Sequence, residues 1–260
     1  MSLARGAFIQ FQVIHALILR ETRTKFGEHQ LGYLWAVLEP LFWVLTFWGM
    51  YQVIGRPISG GLDNLTFLTT GVLTYELFSN NVSRIAEAIN GNKPLLFYPQ
   101  VQPVDLVWAR AALESVTIGA VFVLILGGNA FVRGEWPQID SALMVFAGLA
   151  AAAFLGTGLG LMLCMLGEMF PVVDRLSGPV MRPLFWVSGL FFTLDEVPAE
   201  VRDLFLLNPV LHTLEVVRDG WYPEYSSPLV SLFYPFCFGL AFMVVGLLLE
   251  RIVRRRLELS

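Results

Sequence analysis

Ser141-Ala-Leu-Met-Val-Phe-Ala-Gly-Leu-Ala-Ala-Ala-Ala-Phe-Leu-Gly-Thr-Gly-Leu-Gly-Leu-Met-Leu-Cys-Met-Leu-Gly167 holds no Asp, Glu, Lys or Arg. About 20 apolar residues suffice to cross a hydrocarbon core of ~30 Å, so this stretch alone places the chain in a bilayer. Residues 115–132 and 225–249 are likewise free of charge, while 29–55 is broken only by Glu39 and 64–83 only by Glu76. Lipid cannot satisfy free backbone N–H and C=O groups, so these runs are expected to be helices. Composition agrees: of 260 residues 56% are hydrophobic, 13% aromatic and 15% charged, against roughly 25% charged in a soluble domain. Mean hydropathy is +0.65. The length would serve one or two soluble domains, but the charges are too few to coat them, which argues against a cytosolic enzyme and against disorder. Lys and Arg number 17 against 21 Asp and Glu, a net charge of −4, where a nucleic-acid binder carries a basic face.

The remaining segments are shorter. Residues 183–194 and 204–214 are uncharged, the second around Asn208-Pro209; runs of ~10–14 are commonly re-entrant or incomplete spans. Preceded by Leu176–Met181, the first reaches across as a fifth helix; the second dips into one leaflet and returns. Residues 6–19 fall short of a span, and Arg20-Glu-Thr-Arg-Thr-Lys25 follows in place of a small-residue cleavage site, so an interfacial helix is read there rather than a signal peptide. The expected fold is therefore an all-α integral membrane protein with six transmembrane helices, an N-terminal interfacial helix and a re-entrant helical hairpin between helices five and six.

Cation placement orients it. Arg5, Arg20, Arg23, Lys25, Arg84, Lys93, Arg110, Arg175, Arg182, Arg251, Arg254, Arg255 and Arg256 fall on one side; only Arg56, Arg133, Arg202 and Arg218 fall on the other. Both termini are expected in the cytoplasm. The outer loop 195–224 is acidic, with Asp195, Glu196, Glu200, Asp203, Glu215, Asp219 and Glu224.

Catalytic signatures are missing. Neither Lys25 nor Lys93 follows a glycine, so no Gly-Lys-Ser/Thr phosphate loop exists, and no GxSxG, HExxH or CxxC occurs. His15, His29 and His212 are isolated, Cys164 and Cys237 lie in apolar runs, and a disulfide is not expected. A membrane enzyme would have to draw its acids from Glu39, Glu76, Glu87, Asp105 or Glu114. Of these only Glu76 is mid-span; Glu87 and Glu114 have Arg84 and Arg110 nearby to pair with. There is no ordered proton relay.

Gly148, Ala152, Gly156 and Gly160 recur every four residues, as do Ala111, Ser115 and Gly119, with Gly127 beyond; such ridges allow close helix packing. Aromatic residues form a second pattern: Trp35, Phe42, Trp43, Phe47, Trp48 and Tyr51 in the first span, Phe185, Trp186, Phe191 and Phe192 around the fifth. Interfacial belts explain Trp35, Tyr51, Trp136, Trp221 and Tyr222 but not Trp43 and Trp48. Aromatic faces stack on sugar rings while allowing sliding, so a lined glycan channel and ordinary lipid-facing packing both remain open.

Thr22-Arg-Thr-Lys-Phe-Gly-Glu-His-Gln-Leu-Gly-Tyr-Leu-Trp-Ala-Val-Leu-Glu-Pro40, Leu96-Phe-Tyr-Pro-Gln-Val-Gln-Pro103, Ser188-Gly-Leu-Phe-Phe-Thr-Leu-Asp-Glu-Val-Pro198, Leu207-Asn-Pro-Val-Leu-His212 and Glu215-Val-Val-Arg-Asp-Gly-Trp221 together resemble polysaccharide-export permeases of the ABC-2 type, most of all the capsule-polysaccharide (polysialic acid-type) branch. Thr193 departs from it, since that branch is expected to carry proline there. The resemblance implies a permease subunit and not an enzyme, working as a homodimer with two cytoplasmic ATPase subunits. It implies that no cofactor is bound by this chain and that ATP and Mg belong to the partner ATPase. It also implies a periplasmic co-polymerase or export adaptor, and a lipid-linked acidic polysaccharide as substrate in the bacterial inner membrane.

On that template the interfacial helix covers 7–30, the spans 33–55, 64–88, 106–132, 141–167, 176–194 and 227–250, the cytoplasmic coupling segment 92–103 and the periplasmic gate hairpin 196–219. The resemblance assigns ATPase coupling to Arg20, Arg23, Lys25, Asn92, Lys93, Pro94, Tyr98, Pro99 and Pro103, although positive-inside anchoring accounts equally for Arg20 to Lys25. The gate would comprise Asp195, Asn208, Pro209, His212, Glu215, Arg218 and Trp221. The channel would be lined by Trp43, Phe47, Trp48, Tyr51, Phe185, Trp186, Phe191 and Phe192, with Arg84, Arg175 and Arg182 meeting the substrate at the cytoplasmic mouth. The alternatives are O-antigen or teichoic acid export, then an ABC-2 drug exporter, then a membrane enzyme acting on lipid-linked sugars.

Overall fold

The computed structural model describes residues 3–27, 31–55, 62–98 and 100–259. Among them are nine α-helices and no strand: α1 (Leu3–Phe26), α2 (Leu31–Ile54), α3 (Asn64–Ala86), α4 (Pro103–Arg133), α5 (Ala142–Met169), α6 (Val172–Val187), α7 (Ala199–Leu206), α8 (Pro209–Trp221) and α9 (Phe233–Leu259). Local chemistry sets the boundaries. Asp63 caps α3 by accepting from the Thr66 amide at 2.9 Å, and Asn208 caps α8 by accepting from the Val210 amide at 3.0 Å, with Pro209 in the first turn. Gln102 and Asp105 form a capping box ahead of α4, again with proline in the first turn.

Among the described residues four helices are long and apolar enough to cross a membrane: Gly32–Ile54, Pro103–Arg133, Ala142–Met169 and Phe233–Arg255. Two expected spans fall outside that set for different reasons. In α3 the residues from Thr66 to Tyr75 are all buried, so it meets protein rather than lipid and tolerates Thr70, Thr74 and Asn81, which bond back to carbonyls of their own helix. In α6 there are only 16 residues, with Pro179 and Pro183 inside and none buried. It ends at Val187 rather than 194, because Ser188 is followed by Gly189 in the left-handed region at φ 79°, where a side chain is disfavoured. A 3₁₀ stretch, Asn90–Phe97, kinked at Asn92, covers the first half of the segment 92–103.

Packing centres on α5, which lies against α9, α3 and α8. Its glycines permit this. A Cβ on Gly156 would lie 2.6 Å from the Phe78 carbonyl of α3, and one on Gly158 2.3 Å from the Gly239 carbonyl of α9. The ridge on α4 behaves otherwise: Gly119 and Gly127 have nothing within 4 Å of a would-be Cβ. They face a cleft, not a neighbour.

Candidate functional site

Three constellations stand out. The first ties α1 to the segment after α3 and to α4. Asn92, 1% exposed, accepts from Arg20 at Oδ1 and donates from Nδ2 to Glu21 Oε1 at 2.8 Å and to the Ala88 carbonyl at 3.0 Å. Glu21 Oε2 lies 3.3 Å from Arg110 Nε. One turn along, Lys25 Nζ sits on both oxygens of Glu114 at 2.8 and 2.7 Å, with Arg84 Nε 3.9 Å from that carboxylate. Gln10 donates to Asp105, the residue that caps α4. Glu114 therefore takes its cation chiefly from α1, and Arg110 turns to Glu21; the local pairing expected from sequence is replaced by one spanning 89 positions. Burial explains the exchange, since Asp105 and Glu114 are almost fully enclosed and a buried carboxylate needs a close cation or donor.

Of the coupling candidates, Arg20, Lys25 and Asn92 are brought together here, and Pro103 is buried at the start of α4. Arg23, Pro94 and Tyr98 are exposed, and Lys93 reaches Glu168 at 3.6 Å. Pro99 lies outside the described residues.

The second constellation is aromatic. Phe47 of α2, Phe185 and Phe191 form a triangle of rings, with Phe47 6.1 Å from Phe185 and 4.7 Å from Phe191. Trp43 stacks on Phe47 at 5.8 Å, and Trp186 lies tilted against Phe191 at 5.4 Å. The Tyr51 hydroxyl donates to the Phe191 carbonyl at 2.5 Å. Trp43, Phe47, Phe185 and Trp186 border, with Val72 and Glu76, a cavity of about 300 Å³. Trp48 instead packs partly buried against the core, and Phe192 turns away to Phe205 of α7. Tyr75 of α3 was missed by the sequence reading. It packs on Phe185 at 5.2 Å and donates to the Met181 carbonyl at 2.9 Å. Arg84 is exposed beside Glu114, while Arg175 and Arg182 are exposed on α6, seven positions apart and hence on one helix face.

The third centres on α8. Arg218 is fully buried: Nη1 donates to the Gly189 carbonyl at 2.6 Å, Nη2 to the Leu190 carbonyl at 3.2 Å, and Glu215 Oε1 lies at 3.3 Å. Its guanidinium carbon stands 3.7 Å from the Phe67 ring centre. Gly71 leaves room for it, since a Cβ there would fall 2.6 Å from Nη2. Tyr225 donates to the other Glu215 oxygen, and burial followed by the Glu215 charge pushes the Tyr225 hydroxyl pKa well up. Asn208 donates to Ser188 Oγ at 3.0 Å, joining α8 to the end of α6. His212 accepts from the Ser231 amide at Nδ1, 3.1 Å, which leaves Nε2–H to donate to the Leu206 carbonyl at 2.8 Å; burial lowers its pKa, against the opposing pull of that carbonyl and of Glu215. Trp221 is buried edge-on to Phe122 at 5.8 Å. Asp195 is exposed at the edge of this set, near enough for its charge to act on Tyr225. Among the described residues no group of His, Cys, Asp and Glu is arranged to hold a metal.

The family described as ABC-2 type transporter matches residues 12–222, from the middle of α1 to the end of α8. The chain belongs to the ABC-2 type transporter family. Within it, this ABC-2 protein is similar to the polysialic acid transport protein KpsM of Escherichia coli, 33% identical over 250 residues that cover 96% of each chain. It is similar also to the capsule polysaccharide export inner-membrane protein BexB of Haemophilus influenzae, 29% identical over 94% of this chain and 91% of the relative. A third relative, the capsule polysaccharide export inner-membrane protein CtrC of Neisseria meningitidis serogroup A, is 27% identical over 95% and 92%. All three constellations lie on the matched region, apart from the Gln10, Tyr225 and Ser231 partners.

Proposed function

We propose that this ABC-2 protein is the transmembrane subunit of an ATP-driven exporter of capsular polysaccharide in the bacterial inner membrane. The near full-length similarity to KpsM carries the reading, and the carbohydrate-sized aromatic recess between α2, α3 and α6 supports it. In this reading α2, α3, α4, α5, α6 and α9 are the six spans with both termini cytoplasmic, and α7–α8 is the periplasmic gate hairpin. Two copies form the passage. Two ATPase subunits supply ATP and Mg beneath them, a periplasmic adaptor receives the polymer, and the substrate is lipid-linked and acidic.

The chain's own residues divide the labour. Lys93, Pro94 and Tyr98 present a surface for the ATPase, and movement there reaches α1 and α4 through Asn92, Glu21 and Lys25. Arg84, Arg175 and Arg182 meet the anionic polymer at the cytoplasmic mouth. Trp43, Phe47, Phe185 and Trp186 offer ring faces to sugars, and Trp48, Tyr51 and Phe191 fix the wall behind them. Asn208, Pro209, His212, Glu215, Arg218 and Trp221 hold the gate against α6, with Asp195 at its exposed edge.

The test is a gene deletion complemented by variants. Deletion should leave glycan inside the cell, and the wild-type gene should restore it to the surface. Trp43→Ala with Trp186→Ala should reduce surface glycan about tenfold or more, given ~1–3 kcal/mol per lost aromatic stack, with ATPase activity retained. Undiminished export in the double variant would refute the channel lining.

A further inference from the structure

Two cavities share a wall at the end of α4 remote from the α1 network. One, of about 380 Å³, has the charged and polar groups: Asp63, Asn129, Arg133, Glu135, Tyr222 and Glu224 share its wall with apolar side chains. The other, of about 410 Å³, is bordered almost wholly by apolar side chains and runs along the open side of α4 and α5 from Ala130 to Gly119. Leu126, Ala130, Trp136, Pro137 and Trp221 border both. Eleven helical residues rise about 17 Å, close to the ~15 Å of one leaflet's hydrocarbon.

We infer that this composite site holds one zwitterionic aminophospholipid, its head group in the polar cavity and an acyl chain in the cleft. The shared wall is what selects an amphiphile: a free sugar has no use for the cleft, and a bare hydrocarbon none for the pocket above it. Head-group chemistry follows from the charges. Arg133 is held by Asp63 at 2.7 Å, which leaves Glu135 and Glu224 exposed at the rim with no cation among the cavity's other residues. They attract an ammonium and repel a purely anionic head group. A phosphate beneath that ammonium finds the half-exposed Arg133 guanidinium on the cavity wall. The cleft itself is open because Gly119 and Gly127 carry no side chain to fill it, although neither position has a positive φ that would require glycine.

The test is native mass spectrometry of the purified full-length chain after exchange into micelles. The micelles contain equal amounts of palmitoyl-oleoyl phosphatidylethanolamine and the phosphatidylglycerol with the same chains. The wild type should retain the ethanolamine lipid about tenfold over the glycerol lipid, the equivalent of one charge-assisted contact. Glu135→Gln with Glu224→Gln, both on exposed side chains, should abolish the preference while leaving total lipid unchanged. Gly127→Leu should lower retention of both lipids; it meets open space and is a better helix former, so its thermal midpoint should hold. Equal retention of the two lipids by the wild type overturns the head-group assignment. Unchanged retention in Gly127→Leu overturns the cleft as the chain's seat. Export is not the readout, so the result is independent of the glycan assignment.

Discussion

Arg218 has no exposed surface, yet its guanidinium meets three backbone carbonyls, those of Gly189, Leu190 and Phe192, with the Glu215 carboxylate and the face of Phe67. Burying such a pair costs several kcal/mol in desolvation, so it contributes little net stability, but removing one member strands the other. Arg218→Met should destabilise the protein by about 3–5 kcal/mol, measured as unfolding in detergent, and Arg218→Met with Glu215→Leu should recover part of that. If the double variant is as unstable as the single, the pairing is not what holds this region. Counting cations placed Arg218 among the outer-loop charges, because a tally by loop does not register that a residue is enclosed. What decides its burial is Gly71, a glycine 147 positions earlier in the chain that no local pattern links to it. Lys25 and Glu114 are a parallel case: both charges were visible, but their pairing depends on how α1 crosses α4.

Among the elements, α7 and α8 form an unequal hairpin. Eleven of the thirteen residues of α8 are buried and none of α7 is. Asn208-Pro209 announced the start of α8 in the sequence, because an Asn cap followed by proline is a local signal. Its depth was not legible, since burial on every side comes from α3, α5 and α9. The turn leaving α7 hangs on His212, which is neutral with Nδ1 accepting. Because burial lowers its pKa, the stabilisation is complete above the ordinary value of 6.5 and is lost as pH falls below it, when Nδ1 gains a proton and can no longer accept from Ser231. The thermal midpoint should therefore fall between pH 7.5 and pH 5.5, values chosen about one unit either side of that pKa, and fall less in His212→Gln. Equal falls in the two proteins would show that His212 is not the titrating group. The ridge on α4 was read as a packing face, and it has no packing partner at Gly119 or Gly127. Sequence periodicity shows that a helix has a small-residue face but not what fills it.

At the scale of the whole molecule, the polar network at one end joins three separated pieces of chain, α1, the 3₁₀ stretch and α4, through buried groups. Such a network transmits displacement only while its members stay paired. Lys25→Ala should leave Glu114 buried with only the distant Arg84 and destabilise the protein by about 2–4 kcal/mol. Lys25→Ala with Glu114→Gln should restore folding without restoring coupling, so that ATPase activity in the assembled transporter no longer responds to substrate. Export at the wild-type rate in that pair would remove the network from the coupling route. The all-helical membrane character was legible from uncharged runs alone, since hydrocarbon imposes the same requirement on every residue it touches. The polar, enclosed α3 and the short α6 depart from that rule because neighbouring protein replaces lipid around the first and the left-handed Gly189 stops the second.

The length of α6 has a mechanical consequence. Sixteen residues rise about 24 Å, some 6 Å less than a ~30 Å hydrocarbon layer. With α6 as the fifth span, the surrounding lipid must compress to meet it, at fractions of a kcal/mol per Å. A polymer leaving beside α6 would then cross a thinner barrier than the bilayer presents elsewhere, a saving that recurs for every sugar unit along its length.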